Sequence, residues 1–249
     1  MNGAVGGVAV RTVGSRAGAP PAPQRKLVAI PVRTPLIVPD SDITECVRTA
    51  VRGIAYAGDV VAVSETAVAI AQGRMVAAER IRPSRLAYAL SRRAGALATV
   101  NQPESLQLVI DRVGPWRVLL AAACHVFGRI SGRRGDFYRV LGEAISAIDG
   151  YTGTLPPFER TIVFGPEDAE GVAETIAAAS GSACAVVDVN DLGVAKVLGA
   201  SRGVRRSAVE AALRTNPHGN GDEQTPIVVL AWRGEGNTPL LDESDARVA

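Results

Sequence analysis

Four short apolar runs, residues 27–32 (LVAIPV), 60–63 (VVAV), 183–187 (ACAVV) and 226–232 (PIVVLAW), constrain the fold of this chain more than any other feature. Each is rich in Val, Ile or Ala and short enough to be a strand, and turn or breaker residues flank them, as at Gly58-Asp59. Pro31 cannot donate to a ladder, so the first strand lies at a sheet edge or ends there. Only 4% of the 249 residues are aromatic, and the core must therefore be built from small aliphatic side chains packed closely between helices and sheet.

The stretches between these runs carry helical spacing. Ser41 or Asp42 can cap residues 43–52, where Ile43, Val47, Ala50 and Val51 recur on one face, and Gly53 stops that helix. Residues 67–72 form a short apolar segment ending at Gly73-Arg74. Pro83-Ser84 opens a helix through Arg93, and a second helix runs from Pro103 or Glu104 to Val113. Residues 118–124 fit a strand or a buried helix equally, because periodicity alone does not separate the two. Residues 166–180 begin with Glu167, Asp168 and Glu170, as a helix start should, and 207–215 form a further helix. The strand at 183–187 delivers Asp188, Asn190 and Asp191 at its C-terminal end, where αβ folds commonly place a cleft. The organisation expected is a flexible tail over 1–24, a folded αβ unit of one or two lobes over 25–234 and a disordered tail over 235–249.

Several function classes are disfavoured by composition. A formal net charge of +2 with few aromatics argues against nucleic acid as the main partner. No segment reaches the roughly 20 apolar residues that span a membrane. Cys46, Cys124 and Cys184 share no metal-type spacing and are expected as free thiols in a reducing cytoplasm. His125 and His218 form no paired zinc motif and read as satisfied or surface histidines. The sequence holds neither a phosphate loop ending in Lys-Ser or Lys-Thr nor a Gly-x-Gly-x-x-Gly turn, and Ser64 and Ser131 lack a nucleophile elbow.

Two acidic positions stand out. Asp149 and Asp188 each follow an apolar run and precede a turn, and convergent carboxylates of this kind suit Mg²⁺ or Mn²⁺, which prefer hard oxygen ligands. The plain alternative is that each caps its turn. Asp191 adds another acidic side chain beside Asp188. Arg129, Arg133, Arg134 and Arg139 fall close together and suit either a phosphate-bearing ligand or a solvated loop.

The order of segments resembles a known family. Ile30-Pro31-Val32, Pro35-Leu36-Ile37, Asp40-Ser41-Asp42, Gly58-Asp59-Val60-Val61 and Ala71-Gln72-Gly73-Arg74 follow one another as in the gamma-glutamyl ligases that add glutamate to the deazaflavin coenzyme. Ala147-Ile148-Asp149, Leu155-Pro156-Pro157 and Val187-Asp188 are similar to later motifs of that family, and the likeness runs from about Val28 to Gly234.

The resemblance implies an α+β fold, with mixed sheets packed with helices, in an intertwined homodimer. It also implies a cytoplasmic enzyme using GTP with Mg²⁺ or Mn²⁺ to activate a substrate carboxylate as an acyl phosphate, which the amine of glutamate then attacks. The acceptor would be a deazaflavin-type molecule. Carried over residue by residue, Asp149 and Asp188 match the metal-binding aspartates and Thr66 a threonine near the nucleotide. This chain departs from the pattern at Ile70, where the family has a lysine, at Thr152, where it has an asparagine, and at Val189, where it has a threonine. Thr152 keeps a place at the nucleotide by position, and Arg134 and Arg139 are candidates to replace the missing lysine charge. A homologue that keeps the fold and binds a nucleotide-like or flavin-like ligand without phosphoryl chemistry is the alternative.

Overall fold

The computed structural model describes residues 26–93, 99–133, 135–142, 148–150, 158–219 and 223–233. The tails expected over 1–24 and 235–249 lie outside these residues, as do Arg134, Thr152 and the Leu155-Pro156-Pro157 motif. The architecture is α+β, a mixed sheet packed against helices, as the resemblance implies.

One sheet has five strands in the order β1 (Lys26–Val32), β8 (Ile227–Arg233), β2 (Val60–Ser64), β6 (Ala183–Val189) and β7 (Ala195–Ala200). All four apolar runs of the sequence enter it. β1 is an edge strand, which accommodates the missing N–H of Pro31 opposite Val228. β2 and β6 are parallel, with Ser64 beside Val187, and the other pairings are antiparallel.

Strand alternation sends two sets of small side chains to opposite faces. Val61, Val63, Cys184, Val186 and Val229 meet Val47 of α1 (Ile43–Ala50) and Val51 at its C-cap, Val68 of α2 (Glu65–Ala71), and Ala173 and Ile176 of α7 (Ala169–Ser180). Val60, Ala62, Ala185, Val187, Val228 and Leu230 meet Val209 and Leu213 of α8 (Arg206–Leu213). With both faces covered, the central strands read as continuous apolar runs rather than alternating ones.

Side-chain caps form at the starts of three helices, the one at Asp42 as the sequence predicts. Asp42 accepts from the Glu45 amide at 3.0 Å, Ser84 caps α3 (Arg85–Ser91), and Asp168 accepts from the Gly171 amide at 3.0 Å. Gly199 of β7 lets the start of α7 come close, because a Cβ there would sit 2.2 Å from the Ala169 carbonyl carbon.

A second region joins α3, α4 (Pro103–Val113), α5 (Pro115–Ile130) and α6 (Asp136–Leu141) to a three-stranded antiparallel sheet. Its order is β3 (Met75–Ala77), β5 (Thr161–Phe164), β4 (Ile148–Asp149). Residues 118–124, open between strand and helix in the sequence, are helical within α5. The strands β3, β5 and β7 are not legible in the sequence as read above: β3 and β5 are short, and β7 carries Lys196 and Gly199 in place of a continuous apolar run.

The Gln72-Gly73-Arg74 segment ties the two regions together. The Gln72 side chain donates to the Glu167 carbonyl at 2.9 Å and accepts from the Glu167 amide at 2.8 Å. Arg74 donates to the Gly165 carbonyl at 2.7 Å and pairs with the Glu167 carboxylate. A motif that served above as a mark of resemblance thus clamps the linker between β5 and α7.

Candidate functional site

The site is built at the C-terminal ends of β2 and β6. Their parallel register places Ser64 beside Val187, so the chain leaves β2 into Glu65 and Thr66, the first turn of α2, just where β6 reaches Asp188. Crevices outside the carboxyl ends of parallel strands are where open αβ sheets commonly bind ligands. Thr66 and Asp188, singled out separately in the sequence, come to one sheet edge.

Asp188 differs from its expected position in one respect. β6 runs two residues past the expected strand, to Val189, so Asp188 lies inside the strand rather than after it, directly across from Lys196 on β7. Val187 and Val189 both turn toward α8, which sends Asp188 to the face that α2 and α7 cover. Half-buried there, its carboxyl is pushed above the ordinary value by loss of solvent, an effect that the Lys196 ammonium partly opposes. A carboxyl perturbed by burial at a strand end has the character of a functional group.

Beyond β6 the chain turns through Asn190 and Asp191. The Asn190 side chain accepts from the amides of Leu192 at 3.0 Å and Val194 at 3.2 Å, an arrangement that shapes the turn. Asp191 accepts from the Asn216 side-chain amide at 2.6 Å. Two residues on, His218 meets Thr225 at the foot of β8: the His218 ring faces the Thr225 carbonyl at 3.2 Å, and the Thr225 hydroxyl donates to the His218 carbonyl at 2.5 Å. In the sheet order, β2 and β6 lie between these two anchor points. Residues 216–218 and 225 therefore bracket the C-terminal ends of β2, which leads into Thr66, and β6, which bears Asp188.

His218 was misjudged by sequence reasoning as satisfied or exposed. The Thr225 carbonyl can only accept, so the facing Nδ1 carries the proton and Nε2 is left as an acceptor lone pair. That Nε2 is buried and has no hydrogen-bond partner among the described residues. Burial lowers the His218 pKa to about 4, against the opposing effect of the Thr225 hydrogen bond, so the ring is neutral near pH 7. No spacing rule finds this residue, because its partner is a backbone carbonyl fixed by the tertiary structure.

The other candidates are placed differently. Asp149 is in β4, its backbone paired with Val163 in the three-stranded sheet, and its side chain lies outside the described residues. Val163 packs against Ala67, Ile70 and Ala71, so α2 is the element standing between the strand pair of Asp149 and the strand pair of Asp188. Arg139 belongs to α6 and, with Arg133, pairs with the buried carboxylate of Asp136. Gly128 makes that arrangement possible, since a Cβ on it would lie 1.9 Å from an Asp136 oxygen. Ile70 is in the core at 7% exposure. Among the described residues no three His, Cys, Asp or Glu side chains gather as a metal site, and no helix is long and apolar enough to cross a membrane.

No curated protein matches the chain. Residues 31–126 match the family model described as F420-0:Gamma-glutamyl ligase, a stretch that runs from β1 into α5 and includes Thr66 and Ile70, whereas Asp149 and Asp188 lie beyond it. The resemblance read from the order of segments is thus borne out over residues 31–126, which match the model of the F420-0:gamma-glutamyl ligases.

Proposed function

We propose that this chain is a divergent GTP- and metal-dependent gamma-glutamyl ligase, forming an amide bond between glutamate and a deazaflavin-type or related carboxylate acceptor. The observation that carries the reading is the meeting of Thr66 and Asp188 at one strand edge within a chain whose residues 31–126 match the ligase family. Asp149 and Asp188 are the two carboxylates assigned by resemblance to Mg²⁺ or Mn²⁺, which prefer hard oxygen donors, and Asp191 is an additional acidic candidate beside Asp188. A bound divalent cation would draw charge from the phosphoryl group as it moves to the acceptor carboxylate. Thr66 and Thr152 fall to the nucleotide, and Arg134 and Arg139 are the candidates for the cationic partner that the lysine supplies elsewhere in the family. A cytoplasmic homodimer of the gamma-glutamyl ligase fold completes the proposal.

Incubation with GTP, Mn²⁺, glutamate and the deazaflavin acceptor, read by mass, should show added glutamyl units, and Asp188→Asn should abolish them. Titration calorimetry with GTP and Mn²⁺ separates binding from turnover. Absence of both in the wild-type chain would sink the proposal.

One observation favours a second reading, a nucleotide- or flavin-binding accessory protein. Ile70 occupies the lysine position and is packed among Ile37, Ala67, Ala71 and Val163, so that position faces core rather than ligand. GTP binding without glutamyl transfer, with Arg139→Ala leaving affinity unchanged, would select this reading over the first.

A further inference from the structure

Helix α5 is built the wrong way round for a helix of an isolated domain. Its inward face carries small residues, Val118, Ala121 and Gly128, while its large apolar side chains point to solvent. Trp116 is 82% exposed, Phe127 70% and Ile130 78%, and Leu119, Leu120 and Val126 are exposed beside them. At 3.6 residues per turn these six side chains and the exposed Ala123 form one stripe along the helix. Together they leave roughly 700 Å² of apolar surface in water, above the few hundred Å² that monomers commonly expose and close to the ~800 Å² per partner of a stable interface.

The stripe is symmetric about its own centre. Trp116 and Ile130 lie seven positions on either side of Ala123, Leu119 and Phe127 four, and Leu120 and Val126 three. A two-fold axis through Ala123 would run two α5 helices antiparallel and set each large side chain level with its counterpart on the other copy. A surface that matches itself under a two-fold rotation is what an isologous dimer requires. The small Ala123 at the centre lets the helix axes approach, and Arg117 and Arg129, six positions either side of it, fall on opposite flanks outside the seam. A membrane surface fits less well. Such helices present a broad Lys- and Arg-rich polar face, whereas the opposite face of α5 is packed within its own protein and carries no such charge.

We infer that α5 is a homodimerisation helix, pairing antiparallel with α5 of a second copy about Ala123. The inference gives the dimer of the preceding reading an interface and does not depend on its chemistry, because the oligomer is measured without nucleotide. Sedimentation of the full chain at tens of micromolar should give a dimer. Leu120→Glu and Phe127→Glu should each weaken it at least ~30-fold, with circular dichroism and melting of the monomer unchanged. Ala123→Cys should form a covalent dimer under mild oxidation, well beyond any cross-link given by wild-type Cys124. A wild-type monomer, a monomer that instead floats with anionic vesicles, a dimer that survives both glutamate substitutions, or no extra cross-link at position 123 would each overturn the assignment. Glutamyl transfer measured on the same variants reports separately on the ligase reading.

Discussion

The five-stranded sheet and the α3–α6 region solve the same problem, a chain poor in aromatics, in opposite ways. In the sheet region the central strands β8, β2 and β6 are sealed on both faces by small aliphatic side chains, and what remains at the strand ends is polar: Thr66, Asp188, Asp191 and His218. The helical region buries Leu106, Val109 and Ile162 but turns its largest side chains outward on α5. Apolar content alone therefore does not say where a core is. One region has spent its polar residues on a crevice, and the other has kept apolar surface for a partner.

The sharpest test of this contrast uses one side-chain type in both places. Ile176→Ala, in the sealed core of α7, should cost about 2–5 kcal/mol in urea unfolding. Ile130→Ala, in a Leu120→Glu background where self-association does not enter, should cost no more than ~0.5 kcal/mol. Equal losses would break the comparison.

His218 gives the next largest effect. Its pKa is about 4 folded and 6.5 ordinarily, so the unfolded chain binds the proton first as pH falls. The stability it contributes is complete above about 6.5 and is lost between there and about 4, a change of about 3 kcal/mol. His218→Gln should flatten the pH dependence of unfolding across that window, and a slope unchanged by the substitution would mean that the ring is not held neutral.

The clamp between the two regions is worth less. Arg74→Ala removes its hydrogen bond to the Gly165 carbonyl and its pairing with Glu167, and should lower stability by about 1–2 kcal/mol. Proteolysis near residues 165–168 would reveal whether the linker loosens.

Asp188→Asn is the smallest and runs the other way. A carboxyl whose pKa burial raises is held at a cost, so its neutral isostere should leave stability unchanged or raise it slightly while abolishing nucleotide and Mn²⁺ binding. A clear loss of stability would identify Asp188 as structural and its place at the crevice as incidental.

Much of the fold was legible before any coordinate. Helices α1, α3 and α7 could be read from their starts near Asp42, Ser84 and Asp168 with their periodic apolar residues, because capping and amphipathicity act within one or two turns, whereas the longest described helix, α5, stayed open between strand and helix. The β6 strand was legible but two residues short, since only pairing with Lys196 and Ala195 on β7 extends it through Asp188. β3, β5 and β7 were missed because a strand of modest length or broken pattern exists only by virtue of its neighbours. Of the site, Thr66 and Asp188 were named from sequence by resemblance, but their sharing an edge follows from the parallel pairing of β2 with β6, residues more than a hundred apart in the chain.

What the sequence determined alone was whatever depends on near neighbours: the capped helices, the apolar runs that must be buried, the segment order by which residues 31–126 match a family model, and the symmetric spacing of large side chains about Ala123. Tertiary structure decided what depends on distant partners. It directed the large face of α5 outward, buried Ile70 where a charge was expected, and set the lone pair of His218 behind the strand ends, because which face meets solvent is fixed only when the remaining elements have packed.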